Sequence, residues 1–150
     1  MSSAVVSCPG CGTRNRVLND TAGRPRCSRC HLDLPWLVEV GADEFDSVVG
    51  RSTLPVLVDL WAPWCGPCHA VAPALEQLSV DLAGVLRVVK VNVDESPGVS
   101  ARLGVQGIPT MVLFADGDEV ARQVGALPAA ALRGWVDEAL ASHRSMTHGS

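Results

Sequence analysis

The chain has 150 residues, 47% of them apolar, with a formal net charge of −4 and a pI near 5.5. That length allows one ordinary domain with a small appendage, and the acidic balance gives no basic footprint for nucleic acid or an anionic membrane surface. The apolar runs are too short for a bilayer, and the N-terminus has neither a basic nor an apolar signal region, so the six cysteines predict metal or redox chemistry in the cytoplasm.

Taken in order, the chain first presents Cys8-x-x-Cys11 and, after fifteen residues, Cys27-x-x-Cys30. Each pair encloses small or basic residues, and Gly12 follows the first. Tight turns of this kind let two sulfurs face one ion, and four thiolates suit a tetrahedral Zn²⁺ with no open position, a structural site. Residues 1–34 are therefore predicted as a zinc-binding module. Leu18, Leu32 and Leu34 are its main apolar content, too little to fold without the metal. Two disulfides, or free thiols, are the other readings of the same spacing.

Pro35-Trp36 reads as a short junction. Leu37-Val38-Glu39-Val40 suits a strand, and Asp43 is the expected N-cap of a short helix through Phe45, Val48 and Val49. The apolar run 55–60 predicts a buried strand, interrupted by Asp59, and Trp61-Ala62-Pro63-Trp64-Cys65-Gly66-Pro67-Cys68 follows it. Apolar positions at Cys68, Val71, Ala72, Leu75, Leu78 and Leu82 predict a helix over 66–82, with Pro73 as an interior kink. Cys65 and Cys68 then share one face of the first turn, within reach of a disulfide. At the helix N-terminus, Cys65 meets unpaired N–H groups and the positive dipole end, which favour thiolate.

A third strand is expected at 87–93, and Ser96-Pro97 supplies a cap and first-turn proline for a short helix ending at Leu103-Gly104. Strands 109–114 and 119–124 flank Asp116-Gly117, a hairpin signal. Leu132, Trp135, Val136, Ala139 and Leu140 form a helical stripe, and residues 142–150 read as a mobile tail. The order β-α-β-α-β-α-β-β-α predicts an α/β fold with an antiparallel hairpin at one side of its sheet.

Residues 36–141 resemble thioredoxin, and Trp64-Cys65-Gly66-Pro67-Cys68 matches that family's motif without a mismatch. Asp59, Pro73, Lys90, Ile108-Pro109-Thr110 and Gly125 agree with it at separated positions. The two cysteine pairs in front make the whole chain similar to the bacterial thioredoxin-2 type. The resemblance implies a thioredoxin fold over 35–141, a central mixed sheet flanked by helices, behind a small zinc-ribbon-like module. It also implies a protein-disulfide reductase in which Cys65 attacks a target disulfide and Cys68 resolves the mixed disulfide. Asp59 is a carboxylate in an apolar strand, where desolvation raises its proton affinity and suits it to accept the Cys68 proton. Lys90 corresponds to the family's lysine beside that aspartate.

By the same resemblance Pro109 is cis, and Trp64, Gly66, Pro67, Ile108, Pro109 and Gly125 form the substrate-binding rim. The implied partners are an NADPH-dependent thioredoxin reductase and disulfide-containing proteins. The one implied cofactor is a single Zn²⁺, structural or redox-modulating, with no organic cofactor; a monomer is expected. His69 stands where the family commonly has lysine or arginine, and its titration near neutrality would make the redox poise pH-dependent. Trp61 is expected in the core.

Two other functions fit parts of the sequence. Cys27-x-x-Cys30-His31 and Cys65-x-x-Cys68-His69 both match the haem-attachment pattern, but that chemistry would need export and would consume Cys65. A zinc-ribbon adaptor or redox-sensing chaperone, whose thioredoxin-like part only binds partners, would not require both Cys65 and Cys68 together with Asp59.

Overall fold

The computed structural model describes residues 3–19 and 21–148. Strands β1 (Ser3–Ser7) and β2 (Arg14–Leu18) pair antiparallel into a separate two-stranded sheet. The second sheet collects β3 (Leu37–Glu39), β4 (Val56–Trp61), β5 (Arg87–Asn92), β6 (Thr110–Ala115) and β7 (Asp118–Val124). Its order is β3-β5-β4-β6-β7, parallel from β3 to β4 and antiparallel from β4 to β7. Helices α1 (Ala42–Arg51), α2 (Gly66–Asp81), α3 (Pro97–Arg102) and α4 (Ala129–His148) cover it.

The central strands are apolar almost throughout because both sheet faces are covered. Val56, Val58 and Leu60 of β4 pack with Phe45, Val48 and Val49 of α1 and Val99 of α3. Leu57, on the opposite face, packs with Val71, Leu75 and Leu78 of α2 and Leu132, Val136 and Leu140 of α4. By the two-residue repeat of a strand, Asp59 and Trp61 belong to the α2/α4 face. The β6–β7 turn is at Asp116 (φ 55°) and Gly117 (φ 82°), the pair of left-handed residues that a tight two-residue hairpin requires.

Four local expectations change. Gly41, not Asp43, is the N-cap of α1: its extended backbone accepts from Phe45 N–H at 3.1 Å, and Asp43 lies in the first turn, where its charge still suits the dipole. Leu18 and Leu32 are exposed, while Val17 and Leu34 are the apolar residues buried in the cysteine module. Helix α4 runs through residue 141 to His148; the first residue that strongly disfavours helix there is Gly149, which lies, with Ser150, outside the described residues.

The fourth change concerns Pro35-Trp36, which is not a loose connector. Trp36 is 1% exposed and, with Cys8, Val17, Cys27 and Leu34, joins the core cluster built around β4 and α1. The buried Arg87 guanidinium lies 4.4 Å over the Trp36 ring and donates to the Gly23 carbonyl, and Thr53 N–H donates to Ala22 O at 2.9 Å. These contacts gather at the N-terminal ends of β4 and β5. A six-residue strand is about 20 Å long, and the Cys65–Cys68 segment follows its other end.

Because the cysteine module shares this core, Leu34→Ala is expected to lower the free energy of global unfolding by about 2–5 kcal/mol. Urea denaturation followed by circular dichroism checks this; an unchanged main transition preceded by a small early one would show that the module folds apart.

Candidate active site and metal centre

Strand β4 ends at Trp61, and α2 starts at Gly66. Cys65 is the N-cap of α2, with its Sγ accepting from the Cys68 backbone N–H at 3.2 Å, and Pro67 occupies the first turn, where its missing donor costs nothing. Cys65 and Cys68 form a disulfide, their Cα atoms 5.3 Å apart. The two residues are almost equally covered, at 4% and 2% exposure, with Ala62, Trp61, Val93 and Ile108 around them. The Ile108–Pro109 peptide is cis, and the Pro109 carbonyl accepts from Gly125 N–H at 2.8 Å. Gly125 has φ 95°, a left-handed conformation costly to a residue with a Cβ.

A groove of about 420 Å³ is lined by Trp64, the neighbour of Cys65, with Val93, Val105, Ile108 and the polar Ser100 and Gln106. Trp64 is 70% exposed, a large apolar surface offered to solvent, and its Nε1 donates to Asp94 at 2.9 Å. Asp94 belongs to no recognisable motif. Only the fold, which brings the turn after β5 beside the Cys65 segment, shows that it orients Trp64.

Asp59 is fully buried, and among the described residues neither of its oxygens has a hydrogen-bond partner. Burial pushes its carboxyl up to about 7; the Lys90 charge opposes this, and that of Glu39 adds to it. Lys90 is its cross-strand neighbour in β5. Its ammonium lies 4.5 Å from the ring centre of Trp61. Trp61 is therefore not a core residue. It is half-buried, its Nε1 donates to Glu39 at 2.9 Å, and the edge of its ring system meets His69 at 6.1 Å. The His69 Nε2 in turn lies 2.7 Å from the Pro63 carbonyl, inside the same segment.

The four remaining cysteines converge within the N-terminal module. Their sulfurs all lie within 4.8 Å of one another, with Cys8–Cys30 and Cys11–Cys27 at 3.5 Å. Tetrahedral Zn–S bonds of about 2.3 Å put sulfurs roughly 3.8 Å apart, so the set fits one such ion. The two halves repeat one backbone pattern. Gly12 N–H donates to Cys8 O and His31 N–H to Cys27 O, both at 2.9 Å, while Cys8 and Cys27 donate to Thr13 and Leu32. Gly12 and His31 both take positive φ, 77° and 66°. His31 is thus the turn residue that completes the second cysteine loop, which accounts for the haem-like Cys-x-x-Cys-His spacing without haem. Backbone N–H groups of Cys30 and Arg29 help hold the Cys27 thiol below its usual range, at about 5, whereas Cys30, despite the Leu32 backbone N–H, is pushed up to about 12 by Cys8, burial and the other two sulfurs.

The thioredoxin family's sequence profile matches residues 37–138. Thioredoxin of Haemophilus influenzae is 43% identical over 102 residues, covering 68% of this chain and 95% of its own length. Thioredoxin C-3 of Corynebacterium nephridii is 39% identical over 139 residues, covering 91% of this chain and 95% of its own, so that likeness extends into the cysteine module. Thioredoxin 1 of Synechococcus elongatus is 45% identical over 96 residues, covering 64% of this chain and 90% of its own length. With the disulfide at the head of α2, the mixed five-stranded sheet and the N-terminal four-cysteine cluster of the thioredoxin-2 type, the chain belongs to the thioredoxin family of protein-disulfide oxidoreductases.

Proposed function

We propose that this protein reduces disulfide bonds in other proteins by cycling Cys65 and Cys68 between dithiol and disulfide. The observation that carries the reading is the Cys65–Cys68 disulfide at the N-terminus of α2, next in sequence to the exposed Trp64 that lines a surface groove. In the reduced protein the Cys65 thiolate attacks one sulfur of a target disulfide. The target's S–S bond breaks, a mixed disulfide forms, and the other target sulfur leaves as thiolate and takes a proton. Asp59 accepts the Cys68 proton. The Cys68 thiolate then attacks Cys65 Sγ, closing the disulfide seen here and releasing the second target thiol. Two electrons pass to the target, and Cys65 and Cys68 are oxidised.

Lys90 tempers the proton affinity of Asp59. The exposed Trp64 ring, Ile108, the Pro109 and Gly125 backbone, and the Gly66-Pro67 turn form the surface on which an extended target segment lies. Regeneration of the dithiol falls to an NADPH-dependent thioredoxin reductase. Cys8, Cys11, Cys27 and Cys30 hold one Zn²⁺, whose closed four-sulfur set makes it a structural centre for residues 1–34. A cytoplasmic monomer covering 35–141 as its thioredoxin domain completes the reading. The adaptor reading is weaker, because a passive docking domain has no use for a buried, partnerless carboxylate on the active-site face.

Insulin reduction with NADPH and thioredoxin reductase is expected to proceed with wild type and to be lost in Cys65→Ser and Cys68→Ser, the latter trapping a mixed disulfide. Absence of turnover in folded wild type would favour the adaptor. Asp59→Asn is expected to slow the resolving step at neutral pH by on the order of a hundredfold. The same variant carries a stability signature. An acid whose folded pKa is raised to about 7 favours folding at low pH, and that contribution is lost as pH rises from near 4 through 7. Asp59→Asn should therefore exceed wild type in stability by about 4 kcal/mol at pH 8, a gap closing toward pH 4 in urea titrations. Elemental analysis should find one zinc per chain, and stripping it with a chelator should remove the β1–β2 hairpin signals from the amide spectrum.

A further inference from the structure

Three charged residues lie side by side across three adjacent strands. Glu39 of β3 pairs in register with Lys90 of β5, and Lys90 pairs with Asp59 of β4. The strand repeat puts all three on the α2/α4 face, with Trp61 two residues beyond Asp59. Side by side with Lys90, Asp59 is placed for an ion pair, yet its oxygens have no hydrogen-bond partner among the described residues. The Lys90 ammonium stands over the Trp61 ring at 4.5 Å, and the Trp61 Nε1 donates to both Glu39 oxygens, at 2.9 and 3.2 Å. Glu39 sits at the outer, exposed end of the row and Asp59 at the buried end, while the cation between the two acids rests on the Trp61 ring that Glu39 holds.

We propose that Glu39 is a positioning residue for proton transfer at Asp59: it anchors Trp61, whose ring seats the Lys90 ammonium, so that Lys90 does not close onto the Asp59 carboxyl. The proposal rests on the assignment of Asp59 as proton acceptor and extends it to a residue with no part in the motif. Removing the Glu39 charge has two effects of the same sign. It deletes a like charge that disfavours ionised Asp59, and it frees Lys90 to turn inward. The other groups facing this row are His69 of α2, against Trp61, Glu95 in the turn after β5, which acts on Glu39, and Cys68 itself. None of them changes in the variants below.

The test is the Asp59 carboxyl titration, read by carbon NMR on aspartate-labelled protein, together with the pH profile of insulin reduction. Glu39→Gln keeps an acceptor for Trp61 but loses the charge. Its Asp59 midpoint is expected at lower pH than wild type, with the acid limb of the rate profile moved the same way, so that reduction below the midpoint runs about twofold faster. Glu39→Asp, which keeps the charge, is expected to titrate like wild type. An unchanged Asp59 midpoint in Glu39→Gln, or an equal shift in Glu39→Asp, overturns the proposal. The Asp59→Asn control separates the two ideas. If it leaves the acid limb in place, Asp59 is not the proton acceptor, whatever Glu39 does to its titration.

Discussion

A sheet covered by helices on both faces has to be dry on both, and in β4 one residue violates that condition. Asp59 is flanked by Val58 and Leu60 and buried completely. Keeping a carboxylate there costs several kcal/mol unless it is neutral or paired, and among the described residues none hydrogen-bonds to it. The proposed mechanism uses that penalty: a carboxyl that burial pushes up to about 7 can take and return a proton near physiological pH. Its place on the α2/α4 face puts it under the helix that carries Cys68 at its first turn.

The same sheet separates two kinds of sulfur chemistry. At the C-terminal end of β4 the cysteines are two, bonded to each other, and next in sequence to an exposed tryptophan that lines a surface groove. At the N-terminal ends of β4 and β5 the appended module is held by Trp36, Leu34 and the Arg87–Gly23 contact, and its four sulfurs face one another. Two tight turns with positive φ at Gly12 and His31 set that convergence. A closed four-thiolate set and an open dithiol differ in what they permit: the first has no position left for a substrate, the second exists to exchange partners.

Much of the fold was readable from pattern alone. The strand and helix periods, the Asp116-Gly117 hairpin and the first-turn Pro97 are local signals whose physics acts within a few residues, and the elements from β3 to β7 formed close to where they were expected. The β1–β2 hairpin was not foreseen, and α4 runs further than its apolar stripe. Two other misses are non-local. Trp61 looked like a core aromatic because it ends a buried strand, but Glu39 and Lys90 from two other strands engage its ring, which is only half-buried. Pro35-Trp36 looked like a junction because the pattern changes after it; Trp36 is buried by distant residues as well as near ones, among them Cys8, Val17 and, 51 residues on, Arg87.

The sequence by itself determined the chemistry, because reactivity here depends on spacing within a turn: two cysteines three apart at a helix start, and two further pairs suited to one ion. The Asp59 carboxylate in an apolar run was likewise visible as an expense. Tertiary structure decided which charges that carboxylate feels, which way Trp64 is turned by Asp94, and where the four-cysteine module docks. Those depend on strand order, β3-β5-β4, which sets residues far apart in the chain on one row. A strand order is settled by packing across the whole sheet, and no short stretch of sequence encodes it.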